Sequence, residues 1–436
     1  MHRSGQLLRR ARNDALDSFH GTRGSRRRKR DLRRLPKIRP STSREQITQW
    51  RRAVSAHRHI VVVGASVAGV VAAHTLRAEG YRDDLTIIGS EQERPYDRPP
   101  LSKQLLAGHY QPEDVILPLA VEANWMLGKT VTHLDAAART VSLSDRTTVK
   151  YDGLVIATGL IPRRLPFERH LEGIHVLRTI GDGIEFRDAM AGARRLIVIG
   201  AGFLGAEVAA TARTLGLDVT LVDALDLPLV RQLGPQVARR LLELHVANGV
   251  KFVPNAIVKG LIDSKGRASA VELTDGTVLP TDMILLAIGS TPATGWLAGS
   301  GLNLTNGVDC DACCRAAPDI VAAGDVASWY HAGLARRVRL ENRTNAAEQG
   351  RAAAQTLLGC AAEYAPVPYF WTDQFGVRIQ MRGLITQGAK VTINNPAGSQ
   401  GRFIAEFTNR GVLQAIIGWN SAKQFAPLQS RVSYAC

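Results

Sequence analysis

The sequence predicts an α/β fold built on two parallel-sheet domains of one kind, with a small α+β domain at the C-terminus. Three observations carry this. IVVVGASVAG at 60–69 runs four apolar β-formers into a glycine turn. LIVIGAGFLG at 196–205 repeats the pattern. Each is followed by a second apolar strand, LTIIG at 85–89 and DVTLVD at 218–223.

The first unit reads as a strand at 60–63, the turn GASVAG, a helix from about Val67 to Glu79 and the strand at 85–89. The second reads as a strand at 196–199, the turn GAGFLG, a helix from about Phe203 to Leu215 and the strand at 218–223. Strand, glycine turn, helix and returning strand is the context that makes each a Rossmann-like dinucleotide-binding unit. Gly64 and Gly200 permit the sharp turn, and Gly69 and Gly205 let each helix lie against its strand. Gly202 lets the backbone approach a pyrophosphate resting on the amide donors of a helix N-terminus. Leu204, inside the same turn, and Gly289 join the expected NAD set.

The two units end differently. Asp223 is placed for an adenosine 2′-hydroxyl, and no arginine follows to receive a 2′-phosphate, which favours NADH over NADPH. The first unit has Ser66 where the middle glycine belongs, and closes on Ser90 and Glu91, with Glu91 the expected ribose partner. Two further segments complete the pattern. DGLVIATG (152–159) is a strand ending in the small-residue turn Ala157, Thr158, Gly159. DIVAAGDVA (319–327) is a strand leading to Gly324 and to Asp325 at a helix start, where Asp325 can hold a ribityl hydroxyl while the helix dipole faces the pyrophosphate.

The formal charge of +16 belongs to a tail. Residues 1–58 hold 18 Lys and Arg against 4 Asp and Glu, a net of +14, which leaves +2 for the rest. Such a segment buries too little apolar surface to fold. Three readings are open: a tail that binds nucleic acid or an anionic membrane, an Arg-rich transit peptide, or an untranslated stretch with the true start at Val54. The last is favoured, because a strand opening a nucleotide-binding domain usually begins a few residues after the initiator. No run of eighteen or more uncharged apolar residues occurs. No membrane span is therefore expected, and with the basic charge confined to the tail nucleic acid is not an expected partner of the folded body. The five cysteines, Cys310, Cys313, Cys314, Cys360 and Cys436, fit a reduced, cytoplasmic setting. CDACC (310–314) lacks a second ligand cluster, so no metal site is expected and its thiols read as surface-loop or half-buried.

GASVAG, ERPYDRPPLSK (93–103), ATG (157–159), VLRTIGD (176–182), GAGFLGAE (200–207), AAGDVA (322–327), LENRTNAAEQG (340–350) and YFWTDQFG (369–376) occur in order. From about residue 58 to 436 the chain resembles the FAD-dependent NADH:ferredoxin reductases, the putidaredoxin- and rhodocoxin-reductase-like components of P450 and aromatic-ring dioxygenase systems. RPPLSK together with FWTDQ is specific to that group among flavoproteins of the glutathione-reductase-like fold. The resemblance implies FAD on the first fingerprint and NADH on the second. It implies an FAD-binding domain of 58–164 and 291–365, an NAD-binding domain of 165–290 and a C-terminal reductase domain of 366–436, after the tail of 1–57.

Carried over by residue, the resemblance puts Ala68 on the FAD pyrophosphate, Lys103 beside the flavin N5 edge, and Arg98 and Pro99 near the adenine-to-flavin bridge. Val131 would contact adenine through its backbone. Arg178 and Asp325 would complete the FAD site, and Glu341 and Arg343 would lie in the segment closing over the flavin. Phe203 and Glu207 would hold the nicotinamide. Trp371 is a candidate for the electron exit edge, and Arg336, Arg337, Arg351, Arg378 and Arg382 for docking a small acidic [2Fe–2S] ferredoxin. Three departures stand out: Ser90 replaces a frequent aspartate, Arg343 replaces a frequent aromatic or aliphatic residue, and the CDACC loop is atypical.

Lys103 and Glu207 are the expected catalytic pair, the cation offsetting charge that develops on hydride transfer. Residues 1–309 contain no cysteine, so the thiol route of the disulfide, peroxide and coenzyme A-disulfide reductases of this fold is closed. The expected enzyme is an NAD(P)H:ferredoxin oxidoreductase. The alternatives are a reductase of rubredoxin or monodehydroascorbate, or a redox-gated binding protein resembling apoptosis-inducing factor.

Overall fold

The computed structural model describes residues 57–434 except 119, 169–170, 361 and 396–400. The basic tail, Val54 and Cys436 lie outside the described residues. The first apolar runs form one sheet, in the order Arg315–Ala317, Ile320–Ala322, Gly153–Ile156, His59–Val63, Asp84–Gly89, Asn124–Leu127. Every neighbour pair is parallel except the first. Ile60, Val61 and Val62 are all 0% exposed, as a strand covered on both faces requires. Strand order reverses at His59–Val63, which has Asp84–Gly89 on one side and Gly153–Ile156 on the other. The crevice at the carboxyl ends of such strands is where ligands settle in open α/β sheets.

The second sheet repeats the plan, in the order Lys251–Val253, Asp218–Val222, Arg195–Ile199, Met283–Leu286, Ile174–His175, all parallel. The glycine turns obey the same constraint in both. Gly64 has φ +117 and a Cβ there would lie 2.1 Å from the Ala157 carbonyl oxygen; Gly200 has φ +103 and would meet the Ala287 oxygen at 2.3 Å. The helices that follow, Val67–Ala78 and Phe203–Thr214, end within a residue of their expected limits.

A five-stranded antiparallel sheet closes the chain, in the order Tyr369–Gln374, Val377–Gly383, Val412–Trp419, Phe403–Asn409, Lys390–Asn394. It packs on the helix Val230–Ala247, whose Leu233, Val237 and Leu241 share one apolar cluster with Ile379, Met381, Phe407 and Trp419. The helix kinks at Gly234, beside Pro235, where φ is +71 and a Cβ would press on the Phe407 ring at 3.1 Å. The C-terminal sheet thus shares a core with this helix and with Ala206 of the helix Phe203–Thr214.

Two expectations are corrected. No α-helix follows Asp325: the chain makes a single three-residue turn, Gly324–Val326, and becomes the strand Ala327–His331. That strand is drawn out by pairing with Val308–Cys310 and Arg336–Val338, so no helix dipole starts there. The nearby helix is instead Arg343–Leu357, whose Gln349 Oε1 accepts from the Gly324 N–H at 2.9 Å. The CDACC thiols are not all loop groups either. Cys310 and Cys314 are 2% and 0% exposed, because the strands on either side carry them into apolar clusters. Cys313 is half-buried and Cys360 exposed. Among the described residues no helix is long and apolar enough to cross a membrane.

Candidate functional site

A cavity of about 380 Å³ opens at the carboxyl ends of the first sheet, and one of about 750 Å³ lies between the first and second sheets and the C-terminal sheet. Both are lined by Ser66, Arg98, Leu160 and Arg178, so the two adjoin. The narrow part gathers Gly64, Ser90, Glu91, Val131, Ala157, Thr158 and Gly159 of the expected residues. The wide part gathers Pro99, Lys103, Gly202, Phe203, Leu204, Glu207, Gly289, Asp325, Glu341, Arg343 and Trp371. Six expected residues line neither part: Ala68, Gly69, Gly200, Gly205, Asp223 and Gly324. Gly69, Gly200 and Gly205 shape the turns, and Ala68 and Gly324 pack on each other, a Cβ on Gly324 falling 2.8 Å from that of Ala68.

The junction is built to take an anion. Ser66 caps the helix Val67–Ala78 without using its side chain on the backbone, so the hydroxyl and the first amides remain available. Arg178 is fixed by its neighbours: Thr179 caps the helix Ile180–Ala191, and the Asp182 carboxylate accepts from the Arg178 and Thr179 N–H groups at 2.8 and 2.7 Å. Arg98 donates to Glu91 Oε1 at 2.6 Å, to the Tyr96 hydroxyl at 3.0 Å and to the Arg178 carbonyl. Its Nε is buried with no partner. Burial, and then the nearby Arg98, push the Arg178 guanidinium below its ordinary pKa, and Asp325 at 3.7 Å offsets only part of this. Two enclosed cations with an unmatched donor fit the pyrophosphate of FAD. Asp325 sits against them, its carboxyl pushed up by desolvation. Glu91, the expected ribose partner, is already held by Arg98 and the Tyr96 hydroxyl.

In the wide part, Lys103 Nζ lies 2.6 Å from Glu207 Oε2. Ser102 Oγ donates to the same oxygen, and Thr372 Oγ1 donates to Oε1 at 2.7 Å. Phe203, the first residue of its helix, meets Phe370 edge to face at 5.0 Å. Trp371 stacks on Tyr369, and the Arg378 guanidinium lies 5.9 Å from its ring centre. Arg343 is held by Asp97 at 2.7 and 3.2 Å, and Glu341 by Arg339 at 2.6 Å. A Cβ on Gly202 would meet nothing within 4 Å, and its φ of −72 needs no glycine. Gly202 lines the wide part and leaves room there for the pyrophosphate of a dinucleotide.

Asp223 stays apart. Its carboxylate accepts from the Leu225 N–H at 2.7 Å and from the Ala201 N–H, closing its own turn. Sequence reasoning passed over Tyr96, Asp97, Ser102, Trp296, Thr372, Gln374 and His245. Ser102 and Thr372 sit inside RPPLSK and FWTDQ and could have been read from those motifs. Trp296, in the narrow cavity with a buried unpartnered Nε1, carries no local sequence signal.

Comparison with known proteins places this geometry. The family described as pyridine nucleotide-disulphide oxidoreductase matches residues 58–350, and that described as reductase C-terminal matches 369–433. Rhodocoxin reductase of Rhodococcus erythropolis is 38% identical over 354 residues, spanning 79% of this chain and 82% of its own. The ferredoxin–NAD(+) reductase subunit of the benzene 1,2-dioxygenase system of Pseudomonas putida is 35% identical over 379 residues, spanning 84% and 90%. The structure of the covalent putidaredoxin reductase–putidaredoxin complex superposes with a TM-score of 0.82 at 31% identity, covering 86% of this chain and 93% of that one. The chain belongs to the pyridine nucleotide-disulphide oxidoreductase family, within its group of ferredoxin reductases.

Proposed function

We propose that the protein passes electrons from NADH, by way of FAD in the adjoining cavities, to a small acidic [2Fe–2S] ferredoxin that feeds a P450 or a ring-hydroxylating dioxygenase. One observation carries the reading: the enclosed Lys103–Glu207 pair lines the wide cavity, while among the described residues no cysteine lines either part. A site so furnished has no thiol to receive the electrons.

FAD, when bound, supplies the chemistry, taking a hydride from NADH and releasing electrons singly. Ser66, Arg98 and Arg178 would hold its pyrophosphate, Asp325 a ribityl hydroxyl, and the backbone at Val131 the adenine. The Lys103 ammonium, fixed by Glu207, offsets negative charge that develops beside it. Glu207 would accept from the nicotinamide carboxamide, and the Phe203–Phe370 pair would wall that side and help orient it. Gly202 and the helix behind it receive the dinucleotide phosphates. NADH is the expected donor because Asp223 is followed by Ala224 and Leu225 rather than by a cation. Trp371 would mark the exit edge, with Arg378 5.9 Å from its ring centre, and the five arginines named as docking candidates would meet an acidic partner. The domain limits of 58–164 with 291–365, 165–290 and 366–436, and a cytoplasmic setting, belong to the same reading.

The test is anaerobic stopped-flow on FAD-loaded protein, mixed with NADH and then with a [2Fe–2S] ferredoxin. Bleaching of the flavin absorbance followed by ferredoxin reduction is expected. Bleaching with transfer only to rubredoxin or monodehydroascorbate would overturn the choice of acceptor.

A further inference from the structure

Glu207 is the head of a buried chain that runs away from the cavity. Thr372 Oγ1 donates to Glu207 Oε1 at 2.7 Å, Gln374 Nε2 donates to Thr372 Oγ1 at 3.0 Å, and His245 Nε2 lies 2.7 Å from Gln374 Oε1. Thr372, Gln374 and His245 are each 1% exposed and Glu207 7%. We propose that Thr372 and Gln374, backed by His245, are positioning residues that set the orientation of the Glu207 carboxylate and through it the Lys103 ammonium. This rests on the reading that Glu207 and Lys103 meet the nicotinamide and the flavin.

The polarity of the chain is determined throughout. The single proton of the Thr372 hydroxyl goes to Glu207, so that oxygen can only accept from Gln374. The Gln374 amide therefore turns its nitrogen to Thr372 and its oxygen to the imidazole, which must carry its proton on Nε2. His245 Nδ1 is buried without a partner, and burial pushes the ring below its ordinary pKa. The imidazole thus stays neutral in the one tautomer that can donate. Phe375 meets the ring edge-on at 5.1 Å and holds its plane.

The strand Tyr369–Gln374 explains how one element does this. Side chains alternate across a strand. Phe370, Thr372 and Gln374 share the face that meets Phe203, Glu207 and His245 in turn. With Thr372 on Oε1, Oε2 is left for Ser102 and Lys103. Thr372, Gln374 and His245 are buried away from solvent, so removing one donor loosens the hold on Glu207 Oε1.

The experiment uses the holoenzyme and the variants Thr372→Val, Thr372→Ser and Gln374→Met. Thr372→Val keeps shape and removes the donor; the limiting rate of flavin reduction by NADH should fall ~10-fold or more, the scale of a hydrogen bond to a charged group. Thr372→Ser restores the hydroxyl and should recover most of that rate. Binding of the redox-inert 1,4,5,6-tetrahydro-NAD should weaken in Thr372→Val and recover in Thr372→Ser, a readout that needs no turnover. Electron transfer from dithionite-reduced enzyme to ferricyanide should not change in any variant. If Thr372→Val fails to fold, Gln374→Met decides: it removes the donor to Thr372 and the acceptor of His245 Nε2 and leaves the Thr372 hydroxyl in place on Glu207. A wild-type limiting rate in the folded variant, or ¹⁵N spectra placing the His245 proton on Nδ1, would overturn the proposal and leave the electron path intact. Failure of the wild-type enzyme to oxidise NADH would instead overturn the reading on which it rests.

Discussion

Lys103 and Glu207 stand 104 residues apart in the chain and meet at 2.6 Å, with side chains 12% and 9% exposed. One comes from the RPPLSK loop of the first unit, the other from the helix that opens the second. The pair exists only when the two units dock. Buried ion pairs add little net stability, because desolvation offsets their attraction; their value is in where they hold charge.

Replacing the cation tests this. Lys103→Met should lower the limiting rate of flavin reduction by NADH ~10²-fold, the loss typical of removing one charge-stabilising donor. Glu207 keeps Ser102 and Thr372 as donors, so the variant should still fold. An unchanged limiting rate in stopped-flow would show that Lys103 plays no part in the chemistry.

The two glycines of the second turn should fail in different ways. Gly200→Ala places a Cβ 2.3 Å from the Ala287 oxygen at φ +103, so stability should drop by about 2–3 kcal/mol, read as a lower urea midpoint. Gly202→Ala meets nothing in the protein, so the midpoint should hold while half-saturating NADH rises ~10-fold or more. Equal stability losses in the two would contradict the assignment of Gly202 to ligand space.

The thiols should be silent. Burial pushes Cys310 up to about 12 and raises Cys314 further, while Cys313 is raised to a lesser degree. A raised thiol pKa means the neutral, unreactive form persists through neutral pH and the thiolate appears only as pH rises toward that value. NADH-dependent ferredoxin reduction should therefore keep more than about half its rate after iodoacetamide at pH 7. Complete inactivation would place a working thiol on the electron path.

Arg351, on the helix Arg343–Leu357, is a candidate contact for an acidic partner. Arg351→Glu should slow ferredoxin reduction, more strongly at low salt, and leave ferricyanide reduction unchanged. Equal slowing of both acceptors would remove it from the docking surface. Arg337 is a weaker candidate, since its guanidinium is spent on the carbonyls of Cys310 and Ser328.

Both glycine turns are legible in the sequence because their constraints are local. Gly69 and Gly205 each sit where a Cβ would fall 1.9 Å from the carbonyl oxygen of the glycine opening the same turn, so the pattern carries its own geometry. The cap on Arg178 is similarly local, since Thr179 and Asp182 lie within VLRTIGD. Arg343 is different. Its departure from the usual apolar residue is matched by Asp97, 246 residues away, and nothing local announces that pairing. Asp223 is legible by position, at the end of a strand, but its carboxylate's bonds to the Ala201 and Leu225 N–H groups are not. Thr372 meets Glu207, and Gln374 meets His245, because the C-terminal sheet packs on the helices Phe203–Thr214 and Val230–Ala247. Apolar contacts between distant segments decide that packing, and a period of two or 3.6 does not report it.

The central claim is that electrons leave by the flavin with no thiol relay. The most direct measurement is an anaerobic titration of the FAD-loaded protein with NADH, counting equivalents per FAD from the flavin absorbance and the consumption of NADH. An endpoint at one equivalent is expected, the two electrons that the flavin alone takes up. An endpoint at two equivalents, with new free thiols appearing after reduction, would contradict it by revealing a second two-electron centre in the protein.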